Sequence, residues 1–559
     1  MRSLFFLRPL LLLLWTCLPV AAFGAEAAPA AAPPAAAPAP EAPRWENLPP
    51  LSIGPHTFHR RRLANGLLAL AVPDVGKDVS VFMVVGAGRR QESSTTTGLA
   101  HLVEHTLYTG SRVLGAGEHD RQIQGMGGES NAFTRDDYTL YYDHQIPADR
   151  LTDVLRFEAD RLRFLSFDEA PFLHERDRLR EEEKRTFSPS TARDELIEAA
   201  VFRAHPYGAG VYDAAGFTQG PQLPIELVKT YYDLYYRPER VAVVVAGAVD
   251  PALALDSIWV AFGGLERGKE PPSLPQEPAA ARGGSFRFAS ELERPLLTYA
   301  WLAPPLGDSD RPALEVLAWL LGHEVAADGR QLRAAMGNRV DADLFRFQAT
   351  GADAPQHLAA ALRKAFDQPW PAAAIAEAKV SLRDEFLSLG LRGRPYFSLA
   401  AQVGVYSVFG FGEYAAGYAE KIDAVSEADL QRVARRYLAD ERRFEIVFEA
   451  KGEPPPPLPE DPQALMKAAE EAESAGDYDR AIDAYTRLLQ KNPNKMNTVI
   501  YLATRGQIHL EKRDYAAAIG DFEDALKVVD YPAVRDLLEE ARRRQLAPEE
   551  KKAAPPPAN

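Results

Sequence analysis

Short, continuously apolar runs alternate with amphipathic ones along most of this chain, and turn-forming residues separate them. Phe58–Val72, FHRRRLANGLLALAV, holds two strand-like runs around Asn65-Gly66, a dipeptide that favours tight hairpin turns. Val79–Gly86, VSVFMVVG, and Arg240–Gly247, RVAVVVAG, have the pattern of strands inside a core. Tyr138–Ile146, YTLYYDHQI, alternates and predicts a further strand. Asp149–Leu165, Asp168–Phe187 and Ile225–Tyr236 read as helices, the last ending before Pro238. Strands first and helices behind them predict an α+β layer, a sheet covered on one face, over residues 54–265.

Pro and Gly at 265–284 predict an inter-domain connection. A second α+β domain follows at 285–450, with a strand near Leu296–Leu302 and helices near Arg311–Leu321, Pro371–Leu389 and Glu427–Leu438. Pro371 suits a first helical turn, where no backbone donor is required. Residues 453–462 are a stiff Pro-rich spacer. Beyond it, GDYDRAIDAYTRLLQKNP (Gly476–Pro493) is echoed by RDYAAAIGDFEDALKVVD (Arg513–Asp530). Ala481-Ile482 and Ala518-Ile519 stand 37 residues apart, near the roughly 34-residue tetratricopeptide period, so 463–545 resembles a small all-α array of that kind. Tyr485 and Phe522 are expected to fill the gaps between its paired helices. The alternative is an ordinary helical hairpin. Residues 25–53, rich in Ala and Pro, predict a tether, with ordered protein starting near Gly54, and 546–559 predicts a disordered tail.

Length and charge bound what such a chain does. At 559 residues it exceeds one domain. A formal net charge of −15 argues against nucleic-acid binding, which needs a basic footprint. Residues 1–24 read as a secretory signal: Arg2 and Arg8, then Leu10–Leu14, then Ala22-Phe23-Gly24 as a small-x-small cleavage site. The composition suits a bacterial exported protein, and the expected destination is the periplasm. The one cysteine, Cys17, lies inside this segment, so disulfide and thiol chemistry are not expected of the mature chain. Lipid anchoring at Cys17 is disfavoured because Trp15 and Thr16 precede it. No other stretch has the roughly 18 apolar residues of a membrane span.

The candidate chemistry lies in Gly98–Gly110, GLAHLVEHTLYTG. His101 and His105 are four apart, which puts both imidazoles on one helix face, roughly 6 Å apart along the axis. Glu104 stands beside the second of them, giving H-x-x-E-H, the inverted order of the zincin H-E-x-x-H. A catalytic zinc takes three protein ligands. The charged segment FLHERDRLREEEKRT, Phe172–Thr186, offers Glu175 and Glu182 seven apart, on one face of a helix. By itself such a charge run is more often a solvated, salt-bridged face.

Taken together these pieces resemble the pitrilysin/insulinase-type inverted-zincin peptidases. That family carries H-x-x-E-H and, well downstream, a glutamate ligand preceded seven residues earlier by another glutamate; here Glu182 follows His105 by 77 residues and Glu175 precedes it by seven. The likeness extends to GESNAFT (Gly128–Thr134) and HPYG (His205–Gly208), and covers about residues 55–450. It implies two homologous sheet-plus-helix metallopeptidase-type domains, the second without a metal motif. It implies one Zn2+ per chain on His101, His105 and Glu182, with Glu104 as base and Glu175 orienting a ligand. Glu181 and Glu183 flank Glu182, so a register shift of one stays open. It further implies that an extended peptide adds to a sheet edge at Asn131-Ala132.

The implied activity is zinc-dependent hydrolysis of peptides or unfolded polypeptides in a closed chamber. Alternatives are a catalytically idle chamber subunit and a cell-envelope scaffold working through its repeat region. The family also places an Arg and, seven residues on, a Tyr in its second half; Arg333 fits the first, but Val340 stands at the second. That departure implies a second peptidase-like subunit, in a hetero- or homodimer. The repeat region is expected to bind a protein segment.

Overall fold

The computed structural model describes residues 44–210, 218, 220–278, 282–325, 331–392, 398–451, 458–474, 477–491, 493–512 and 514–546. The expected signal segment with Cys17, the expected tether up to residue 43, the prolines of 453–457 and the expected tail from 547 lie outside the described residues.

Among the described residues seven strands form the first sheet: β1 (Trp45–Ile53), β2 (His56–Leu63), β3 (Leu68–Pro73), β4 (Asp78–Val85), β5 (Glu129–Thr134), β6 (Thr139–Pro147) and β7 (Val241–Gly247). Their spatial order is β1-β2-β3-β7-β4-β6-β5. The Asn65-Gly66 turn joins β2 to β3, and Asn65 Nδ2 donates to the Phe262 carbonyl at 2.8 Å. β7 inserts between β3, to which it is parallel, and β4, to which it is antiparallel. Among the described residues the same stretch of chain holds seven α-helices: α1 (Leu99–Thr106), α2 (Glu118–Gly125), α3 (Leu151–Arg163), α4 (Glu169–Thr186), α5 (Pro189–Val201), α6 (Ile225–Tyr235) and α7 (Pro251–Phe262).

Two expectations are corrected here. The end of the expected tether, 45–53, is strand β1, paired antiparallel with β2 from Trp45↔Leu63 to Ile53↔His56. β1 is an edge strand, where Pro49 and Pro50 are tolerated because no neighbour needs their missing donors. The ladder shifts register between Leu48 and Leu51, where those prolines stand. Trp45 anchors the strand edge-to-face on Trp259, with 5.6 Å between ring centroids. The sheet is also covered on both faces, not one. Val79, Val81, Met83 and Val85 of β4 face the core that contains Leu102 and Val103 of α1, while Phe82 and Val84 face a second core shared with the following domain. β7 divides in the same way, Val243 and Val245 on one side and Val244 on the other. That is why both strands are continuously apolar.

Among the described residues the second domain has five strands: β8 (Gly284–Ala289), β9 (Leu296–Ala303), β10 (Arg333–Met336), β11 (Asp343–Thr350) and β12 (Phe444–Glu449). Their order is β10-β11-β9-β12-β8. Its helices are α8 (Arg311–Gly322), α9 (Ala354–Asp367), α10 (Ala372–Leu387), α11 (Leu399–Val408), α12 (Gly412–Ala416), α13 (Tyr418–Asp423) and α14 (Glu427–Tyr437). α11 packs on β4 and β7 of the first sheet and supplies its second cover. Pro371 caps α10 from outside, at ψ 131, instead of sitting in its first turn.

The C-terminal region is all helical: α15 (Pro462–Ser474), α16 (Tyr478–Gln490), α17 (Lys495–Glu511), α18 (Tyr515–Val528) and α19 (Pro532–Leu546). Asp477 and Asp514 cap α16 and α18 through the amides of Arg480 and Ala517. Tyr485 and Phe522 occupy the two small cores of this region. A Cβ on Gly506 would lie 2.5 Å from the Phe522 ring. Gly506→Ala is therefore expected to destabilise this region by about 1–3 kcal/mol, read as an earlier unfolding step in calorimetry.

Candidate metal centre

Helix α1 starts where the chain turns sharply. Gly98 has φ +81, and a side chain there would strike Thr218. Gly98 offers no capping group, so a distant one serves. Glu92 Oε2 accepts the Gly98 amide at 2.9 Å and Oε1 accepts the Ala100 amide at 2.7 Å, pairing two of the donors left free at a helix start. Burial pushes the Glu92 carboxyl up to about 7, against the two amides that favour its charge. Leu99, Leu102 and Val103 anchor the helix in the core, which leaves His101 and His105 on one face with ring centroids 4.9 Å apart.

Helix α4 packs against α1 and presents the carboxylates. Its buried residues are Phe172, Glu175, Leu179 and Glu183, so its inward stripe holds two acids. The charged run is thus not wholly a solvated face. Glu182 Oε2 lies 3.5 Å from His105 Nε2, and Glu182 Oε1 lies 3.9 Å from His101 Nε2. One ligand atom each from His101, His105 and Glu182 lie within 4.8 Å of one another. Two imidazoles and one carboxylate at this spacing match the donor set zinc takes. Glu175 Oε2 is 3.4 Å from His105 Nδ1, and Arg178 Nη1 donates to both Glu175 oxygens at 3.0 and 2.9 Å. The neighbours of Glu182 turn elsewhere. Glu181 is exposed and pairs with Lys184 at 3.0 Å, while Glu183 is buried and accepts from the Thr218 hydroxyl.

The local field separates the two imidazoles. Burial, then the neighbouring His105, drives His101 down to about 4. Burial also works against charge on His105, but its hydrogen bonds to Glu175 and Glu182 outweigh it and hold the ring at about 9. The hydrogen bond from His105 in turn draws Glu182 down to about 2. Glu104 is buried beside this group, and burial raises its carboxyl to about 7. Thr134 Oγ1 donates to Glu104 Oε2 at 2.6 Å and aims it.

Thr134 ends β5, the edge strand of the seven-stranded sheet. Asn131 and Ala132 lie on that strand, opposite Tyr142 and Tyr141 of β6. Asn131 is exposed, Ala132 is half-buried, and Asn131 Oδ1 accepts the Ala132 amide at 2.8 Å. Among the described residues the other edge of β5 pairs with no strand. Arg333 and Val340 are engaged with other parts of the chain. Arg333 Nη2 donates to Tyr478 Oη at 2.6 Å and to the Glu473 carbonyl at 3.1 Å, which ties β10 to the C-terminal helices. The Val340 amide donates to Asp137.

Sequence reading missed Glu92 and Thr134. Thr134 belongs to the GESNAFT stretch, whereas nothing local marks Glu92. It also missed a second buried group, His119, Asp143 and Glu158. His119 Nε2 is 3.1 Å from Asp143 Oδ1, and Arg161 Nε donates to Glu158 Oε2 at 3.0 Å. With a guanidinium already supplying positive charge, this group is a buried ion-pair cluster rather than a cation site. Burial raises Glu158 to about 7 and lowers His119 to about 4.

Parts of this chain are similar to known proteins. The family profile described as Insulinase (Peptidase family M16) matches residues 69–215, and that of the Peptidase M16 inactive domain matches residues 222–366. An uncharacterized zinc protease of Mycobacterium tuberculosis is 30% identical over 257 residues, 44% of this chain and 56% of the relative. The zinc protease PqqE of Helicobacter pylori is 28% identical over 273 residues, 46% of this chain and 60% of the relative. The chain thus spans somewhat over half the length of the curated relatives it matches. Among solved structures, a protease from Helicobacter pylori aligns with a TM-score of 0.60 at 22% identity, over 70% of this chain and 99% of that one. Pitrilysin aligns with a TM-score of 0.60 at 18% identity, over 73% of this chain and 46% of that one. At such identities these two bear on the fold alone.

Proposed function

Residues 69–215 and 222–366 belong to the insulinase-type peptidase family M16, and from that premise we propose that the chain is a zinc endopeptidase acting on peptides or unfolded polypeptides. The observation that carries the reading is the meeting of His101 and His105 from α1 with Glu182 from α4, beside the buried Glu104. Those three residues hold one Zn2+ in this reading, and Glu175 fixes the His105 ring through Nδ1. When bound, zinc supplies Lewis-acid polarisation of the scissile carbonyl and makes water more acidic.

The chain's own groups do the rest. Glu104, aimed by Thr134, takes a proton from the attacking water and passes it to the leaving amine. An extended substrate adds to the free edge of β5 at Asn131 and Ala132, so main-chain pairing gives affinity with little demand on side chains. A closed chamber then selects by size.

Val340, where the family carries a tyrosine, and the engagement of Arg333 with the C-terminal helices support a second peptidase-like subunit, hetero- or homodimeric, as the source of further substrate contacts. The helices α15–α19, with repeated Asp caps and equivalent Tyr485 and Phe522, support a tetratricopeptide-like array that binds a partner segment. Residues 1–24 support export to the periplasm.

The test is cleavage of an unstructured fluorogenic peptide by the purified chain, with metal analysis and a chelator control. Activity is expected to vanish with chelator and return with Zn2+. Cleavage that persists in metal-free protein would end the proposal.

A further inference from the structure

One short loop of the second domain reaches the surroundings of the first domain's metal centre. It joins β10 to β11 and carries Arg339, Val340 and Asp341. Arg339 Nε donates to Asp136 Oδ2 at 2.6 Å. The Val340 amide donates to Asp137 Oδ2 at 3.1 Å. Asp341 Oδ2 accepts from Arg90 Nη1 at 2.9 Å and lies 3.0 Å from His205 Nε2. Tyr207, two residues after His205, donates its hydroxyl to Asp137. Arg90, Asp137, His205, Tyr207 and Arg339 are all buried. Hydrogen bonds between charged groups in such a setting are short and directional, and they fix position more sharply than apolar contact does.

Two pieces of the first domain receive this loop, and both bear on Glu104. The first is Arg89-Arg90, whose amides donate to the carbonyls of Arg135 and Asp136 at 3.0 and 2.8 Å. Two residues further on, Glu92 caps α1. The second is Asp136-Asp137, in the turn directly after Thr134, the residue that holds Glu104. The loop therefore grips at once the piece that starts the metal-binding helix and the piece that ends the edge strand.

The geometry points to Asp341 as a positioning residue for the reaction: through Arg90 and His205 it sets α1 and β5 relative to each other, and so sets Glu104 against a peptide on that edge. The second domain is then part of the catalytic geometry, not only a cover for the sheet. HPYG gains a role as well, since His205 and Tyr207 face this loop. The inference rests on the zinc-peptidase reading.

Asp341→Asn keeps the side chain's size and removes its charge. Zinc is expected to stay at one per chain and KM to hold, while kcat falls about tenfold, the scale of losing an outer contact that orients a site. Amide exchange at Gly98 and Ala100 is expected to quicken while β9 amides stay as slow as in wild type. Asp341→Glu should recover part of kcat. Tyr207→Phe, which deletes one hydroxyl, should give a weaker version of the same signature, and it serves if Asp341→Asn loses β9 protection. Unchanged kcat in these variants overturns the inference, and so does a lowered Tm with kcat intact, which would make the loop interdomain glue. A wild-type chain that cleaves nothing removes the peptidase reading instead. The exchange comparison then still decides whether Asp341 orders α1.

Discussion

Glu104→Gln is expected to keep zinc at one per chain while kcat falls by about 10²–10⁴-fold, the usual range for removing a general base. The substitution is nearly isosteric. The introduced amide oxygen can still accept the Thr134 hydroxyl, so the loss is not one of packing or of metal ligands. What disappears is the ability to take a proton from water and return it to the amine. Steady-state peptide cleavage alongside metal analysis reads both halves of the expectation. Normal turnover in this variant would place the base elsewhere. Loss of zinc would mean that Glu104 holds the centre together instead of acting within it.

Glu182→Ala is expected to weaken zinc binding by more than the roughly 10–100-fold typical of an outer contact such as Glu175, and to abolish activity with it. Both carboxylate oxygens of Glu182 face imidazole nitrogens, at 3.5 and 3.9 Å, so its loss removes the carboxylate that meets both rings. Its two flanking glutamates provide the control. Glu181→Ala removes an exposed partner of Lys184 and should leave zinc and activity alone. Glu183→Ala strips the Thr218 hydroxyl of its acceptor in a buried place, and should lower Tm with zinc retained. Metal titration of the three variants separates them. Zinc retained in Glu182→Ala and lost in either neighbour would shift the ligand by one position.

Some of this architecture is plain in the linear chain. The hairpin at Asn65-Gly66, the apolar strands β4 and β7, and the helix that carries His101 and His105 all announce themselves, because each is decided by residues within one turn or one strand. β1 did not, because its prolines resemble those of a tether until an edge position makes them harmless. Apolar periodicity gives burial but not its cause, so the continuous runs of β4 and β7 were compatible with the expected single cover, which the structure corrects to two. The second cover, α11, arrives from residues 399–408, far along the chain.

The sequence by itself determined which chemistry was on offer: two imidazoles on one helix face, a carboxylate beside them, and two more seven apart on a charged helix. Those spacings lie within single helices, where 3.6 residues per turn dictates what shares a face. Only the tertiary structure decided where the carboxylates of α4 go, since the helix is polar nearly all round and its packing buries Glu175 and Glu183 and leaves Glu182 half-exposed, facing the two imidazoles. The same holds for Thr134 aiming Glu104 and Asp341 bracing Arg90. Each joins groups whose separation along the chain carries no periodic signal, so the contact exists only once the sheets and helices have packed.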